Sequence, residues 1–144
     1  MFIPGLCVSC PYGIMLLCFM KQSDLRGDTV PKYKVPANIQ RIAKNAIEYN
    51  LSFPVSQRAA WVKDDEKKAG TGMRTARRLA SGAIDEDQMR LMRAWFARHG
   101  ASPGEKENRK DKTSKAARAW QLWGGSPAMR WVSSMLREIE KKKK

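Results

Sequence analysis

The spacing of the helix breakers limits this chain most. From Pro36 onward apolar residues recur at intervals of three and four. Ser52-Phe53-Pro54, Gly70-Thr71-Gly72, Gly82, Gly100 and Gly124-Gly125 cut that pattern into short lengths. Intervals of three and four line up side chains on one side of a helix, whereas a strand needs alternation. No run alternates convincingly for a strand. The expected fold is therefore all-α, a compact bundle of five to six short helices over residues 36–140. At 144 residues the chain is long enough for one domain with a core and too short to suggest two.

Pro36 suits a first helical position. Ile39, Ile42, Ala43, Ala46, Ile47 and Asn50 then face inward, with Arg41, Lys44, Asn45 and Glu48 outside. A weaker helix is expected over 55–68, with Trp61 and Val62 buried, and a third over 73–80. In the third, Met73, Ala76, Leu79 and Ala80 oppose Arg74, Arg77 and Arg78. The fourth helix carries the clearest signals. Asp85 is its N-cap, Gln88 completes a capping box, Ile84 and Met89 form a hydrophobic staple, and Gly100 is placed to stop it. Met89, Leu91, Met92, Trp95, Phe96 and His99 share one side of that helix; Arg90, Arg93 and Arg98 share the other. Residues 101–113 read as an exposed, mobile loop. A fifth helix over 114–123 packs through Ala116, Ala119, Trp120 and Trp123. Gly124-Gly125 breaks it, and Ser126 with Pro127 starts a sixth whose stripe is Met129, Val132, Met135, Leu136 and Ile139. Lysines 141–144 form a basic tail.

Charge narrows the partner class. Twenty-eight Lys and Arg against 14 Asp and Glu give +14, so a polyanion is the first expectation. Lys21 and Arg26 cancel Asp24 and Asp28, and the whole excess lies in residues 31–144.

The first 35 residues read as an unstructured or over-extended segment. MFIPGLCVSCPYGIMLLCFM lacks a basic start and a small-residue cleavage site, so it is a poor signal peptide. Pro4, Gly5, Pro11 and Gly13 leave only Ile14 to Met20 continuous, too short to span a bilayer. Composition changes at Met20, and translation is expected to begin there. Residues 21–35 read as a flexible or extended lead-in. Cys7, Cys10 and Cys18 have no four-ligand spacing and no strand–helix context, so neither a zinc site nor a redox dithiol is expected.

Two helices joined at Gly82 invite a helix-turn-helix reading. That motif would need small or apolar residues where this chain has Arg77, Arg78, Ser81 and Gln88, and its 3–4-residue turn is shorter than this connection. The bundle reading explains every apolar position instead. The arginines remain: phosphate contact needs positive charge at suitable spacing and no base-edge geometry. Gly70-Thr71-Gly72 could also present free N–H groups to an anion. Four of the five tryptophans fall on or beside apolar stripes and are expected in the core. Trp131, next to Arg130, lies at the edge of its stripe and is a candidate partner surface. No catalytic residue, metal ligand or cofactor is expected. The single histidine, His99, sits on an apolar side, Asp85, Glu86 and Asp87 complement a helix dipole, and no P-loop, GxSxG or HExxH occurs.

LASGAIDEDQMRLMRAWFARH (79–99) and AARAWQLWGG (116–125), followed by Arg130-Trp131, resemble a small module of tailed-bacteriophage proteins, cyanobacterial phages included. There it occurs alone or appended to head-associated proteins such as prohead proteases. The resemblance covers roughly residues 36–136. It implies a viral source and a place near packaged DNA or the virion shell, and no proteolytic activity, because no protease domain accompanies it. The expectation is a non-enzymatic basic helical protein of the host cytoplasm or virion. Its partner is nucleic acid, non-specific and DNA ahead of RNA, through Arg74, Arg77, Arg78, Arg90, Arg93, Arg98 and Lys115. Arg109, Lys110, Lys112 and the C-terminal lysines would add attraction. The alternatives are a virion assembly protein on acidic capsid or portal surfaces, and an inhibitor of a host protein. No membrane association is expected.

Overall fold

The computed structural model describes residues 30–61 and 70–144. The expected start at Met20, the three cysteines, most of the lead-in and residues 62–68 of the expected second helix lie outside the described residues. From Lys32 onward the chain forms a compact bundle of six short helices with one two-stranded ribbon among the described residues. In chain order these are β1 (Lys32–Lys34), α1 (Ala37–Leu51), a 3-10 turn (Val55–Gln57), α2 (Thr71–Ser81), β2 (Ala83–Asp85), α3 (Glu86–Ala101), α4 (Pro103–Asn108), α5 (Lys115–Leu122) and α6 (Gly125–Lys142).

The ribbon departs from the expectation of no strand. β1 and β2 pair antiparallel with Tyr33 opposite Ile84, and the Val35 amide donates to the Gly82 carbonyl at 2.8 Å. Ile84 and Val35 are buried, so the pairing seats both in the main core. Lys32–Lys34 therefore belongs to the folded body rather than to a lead-in.

α1 packs on α2 and α5, and α3 packs on α6. Ile39 and Ala43 of α1 meet Leu79, Ile84, Met89, Met92, Phe96, Trp120 and Trp123 in the main core. From α6 come Ala128, Val132, Leu136 and Ile139. A second cluster gathers Ala46, Ala59, Met73, Ala76 and Leu122. α5 lies between them, and its buried residues Ala117, Arg118, Trp120 and Leu122 span more than the single expected face. The expected stripes of α1, α2 and α6 are otherwise those observed, with Ile42, Ile47, Ala80, Met129 and Met135 half-buried.

Four boundaries move, each for a local reason. As far as Trp61 the segment after Pro54 makes only one 3-10 turn, because the buried Asn50 side chain takes both backbone groups of Ala59. Its Nδ2 donates to the Ala59 carbonyl at 3.0 Å and its Oδ1 accepts from the Ala59 amide at 2.9 Å. α3 runs through Gly100 to Ala101, with Ser102 as its C-cap. Residues 103–108 of the expected loop are helical, with Ser102 capping Glu105 and Pro103 at the first position. α6 begins at Gly125, so Ser126 and Pro127 lie inside its first turn, where an amide needs no helical partner. Gly124, at φ 93°, makes that early start possible. A Cβ there would come within 2.5 Å of Ala128 Cβ and 3.2 Å of both Ile39 and Leu79. Only glycine satisfies the left-handed backbone and the close approach together.

Candidate nucleic-acid interface

The arginines of α2 and α3 sit on helices with different packing partners. Arg74 and Arg77 are exposed on the outer side of α2, and neither has a hydrogen-bond or ion-pair partner among the described residues. Arg78 Nη1 donates to Gln88 Oε1 at 2.6 Å, and Gln88 Nε2 donates to Thr75 Oγ1 at 3.1 Å. Asp85 caps α3 as expected, accepting from the Gln88 amide at 2.8 Å. The Gln88 side chain, however, makes this inter-helix bridge instead of returning to the cap. The α2–α3 connection is strand β2, not the tight turn of a helix-turn-helix.

Arg90 and Arg93 are engaged with acids. Arg90 reaches Glu86 at 2.6 Å, and Arg93 reaches Glu140 on α6 at 3.4 Å. Lys143, from the expected solvated tail, also binds Glu86 at 2.9 Å. Lys143 first and Arg90 second hold the Glu86 carboxyl below its ordinary value, while Glu86 raises Arg90. This face has mixed charge, which weakens its field at a distance.

A groove elsewhere on the body has the opposite balance. Its cations are Arg58, Arg98, Arg109 and Lys115, and its only lining carboxylate among the described residues is Glu105. That carboxylate lies 2.8 Å from His99 Nδ1. Three of the cations are held by backbone carbonyls: Arg58 Nε by Phe53 at 2.9 Å, Arg109 Nη1 by His99 at 2.9 Å and Lys115 Nζ by Ser56 at 3.2 Å. A carbonyl satisfies the donor and leaves the full charge in place. Arg98 has no described partner. The N-terminal residues Gly70, Thr71 and Gly72 of the α2 start also line the groove. Among the described residues no side chain caps that end, and its first turn carries no acid, so its field favours an anion. Gly72 fits beneath Ala60 and Trp123 only because it lacks a Cβ, which would stand 2.7 Å from Ala60 Cβ.

Tryptophans form the groove walls, but their faces are engaged by one another or by arginines. Trp95 stacks on Trp123 with centroids 4.6 Å apart and lies 4.4 Å from the His99 ring. Trp120 carries the Arg109 guanidinium at 4.0 Å, and Trp61 that of Arg58 at 4.8 Å. His99 is thus a packed, hydrogen-bonded residue of this wall.

Of the sequence candidates, the structure brings Arg98 and Lys115 into one groove, places Arg90 and Arg93 around Glu140, and leaves Arg74 and Arg77 on α2. Arg130 is exposed; Trp131 is half-buried and packs on the main core. The large apolar side chains exposed on the described body are Tyr49, Leu51 and Leu91. Arg58 was not singled out in sequence, since it follows a polar Ser-Gln pair and only the folding of the 50–59 loop turns it toward Trp61. Among the described residues no helix is long and apolar enough to cross a membrane, and no three potential ligands cluster around a metal position. Compared with known proteins, the chain matches no family model, no curated protein and no solved structure.

Proposed function

We propose that this is a non-enzymatic, phage-type helical protein that contacts nucleic acid, DNA ahead of RNA, through positive surfaces and without reading bases. The observation that carries this reading is the groove, where four cations gather and, among the described residues, the one lining carboxylate is already held by His99. Arg74 and Arg77 add exposed positive charge on α2. Phosphates are the fitting occupants, because the tryptophan faces that could stack on bases are spent within the protein. The likeness of residues 79–99 and 116–125 to a phage module adds the setting, near packaged DNA in the host cytoplasm or virion.

The test is binding of the whole chain to a random-sequence DNA duplex over a salt series. Log K should fall linearly with log salt, with a slope of about −0.9 per phosphate contacted. Arg98→Ala with Lys115→Ala, and separately Arg74→Ala with Arg77→Ala, should each shrink that slope by about two units. Arg90→Ala with Arg93→Ala should change it less, since both residues already face carboxylates. Absence of binding at low salt would overturn the proposal and assign these surfaces to an acidic capsid, portal or host protein.

A further inference from the structure

A second cavity, of ≈ 460 Å³, opens between α1, α5 and the segment after α4. Its volume falls in the range of small-molecule sites. Ile42, Ala46, Ala117 and Trp120 give it an apolar floor, and no carboxylate lines it among the described residues.

Its distinguishing residue is Arg118. The side chain is buried at 5 % exposure, yet no acid lies within ion-pair distance among the described residues. Nε donates to the Ser114 carbonyl at 3.4 Å, Nη1 to Asn50 Oδ1 at 3.5 Å, and the guanidinium lies 3.8 Å from the Phe53 ring centroid. Both hydrogen bonds are long. Nη2 has no hydrogen-bond partner among the described residues, and it is not among the fully enclosed unpaired atoms, of which Trp61 Nε1 is the one found there. Nη2 is therefore not fully enclosed, and Arg118 lines the cavity. A buried cation is costly unless paired and hydrogen-bonded. This one has neutral acceptors and an open side.

The rim adds Arg109, Lys110 and Lys112. Lys110 is drawn outward to Glu107 at 2.7 Å, and the other two have no carboxylate partner among the described residues. One negative charge would leave this set unbalanced, whereas a phosphate monoester carries close to two at neutral pH. A bare phosphate would leave the apolar floor unused.

We propose that this cavity binds a small aromatic phosphate monoester, its phosphate at Arg118 and the rim cations, its ring on the apolar floor beside Ile42, Ala46 and Ala117. The site is separate from the duplex-binding reading, although Arg109 and Trp120 line both the groove and the cavity.

Titration calorimetry on the whole chain with phenyl phosphate, inorganic phosphate and phenol tests this, with the Trp120 indole N–H followed by NMR. Phenyl phosphate is expected to bind at least tenfold more tightly than either fragment and to shift the Trp120 resonance. Arg118→Gln should remove the advantage over phenol. Because that variant alters a buried residue, Asn45→Trp is the companion: Asn45 is exposed on α1 at the cavity mouth. The added ring should weaken phenyl phosphate at least tenfold while the folded spectrum persists. Equal affinities for phenyl and inorganic phosphate would reduce the site to a diffuse cation cluster and overturn the proposal. Undiminished binding by the Asn45→Trp protein would overturn it as well, by locating the ligand elsewhere.

Discussion

Replacing Gly124 with alanine asks one methyl group to occupy space held by Ala128, Ile39 and Leu79, on a backbone that L-residues avoid. Left-handed strain costs about 1–2 kcal/mol and forced overpacking about 1–3 kcal/mol. Gly124→Ala should therefore lose roughly 2–5 kcal/mol in urea unfolding. A loss under about 1 kcal/mol would mean that the α5–α6 corner can relax. The position was visible in sequence as a helix break, but its closeness to α1 and α2 was not, because it depends on which helices meet there. Arg118 was hidden for a related reason. Its neighbours in AARAW read as one packing face with arginine beside it, and only the enclosure of α5 on several sides buries the charge.

At the level of elements, strong local signals gave the right helices, and weak ones failed where side chains from elsewhere intervene. α3 was legible through its cap and long stripe. β1 and β2 were not, since three residues are too few for alternation to register and their pairing bridges about fifty positions. α4 could have been read: Ser102-Pro103-Gly104-Glu105 is a cap, a first-turn proline and an acid three residues on. Its lack of apolar residues obscured it. What holds α4 is the bond between Glu105 and His99, with Arg109 returning to the His99 carbonyl. Glu105→Ala should thus raise amide exchange in residues 103–109 by about tenfold, the factor that corresponds to 1.4 kcal/mol, while α1 and α2 stay protected. Unchanged exchange there would show that packing on α5 alone is sufficient.

For the molecule as a whole, charge is distributed by engagement more than by count. The α3–α6 face balances itself through Glu86 and Glu140, and this balance depends on pH. Because the folded carboxyl of Glu86 is held below its ordinary 4.5, its contribution is fully present above that value and is lost as pH falls through the lower folded value. Melting temperature should accordingly drop more steeply below about pH 4.5 in the native chain than in Glu86→Gln. Parallel acid arms would show that Lys143 and Arg90 add nothing to stability. The groove differs in kind, because Arg58, Arg109 and Lys115 are fastened to carbonyl oxygens. Immobilising a long side chain on binding costs roughly 0.5–1.5 kcal/mol. Here that freedom is given up when the chain folds, so an arriving anion meets groups already at rest and spends little of its attraction on ordering them.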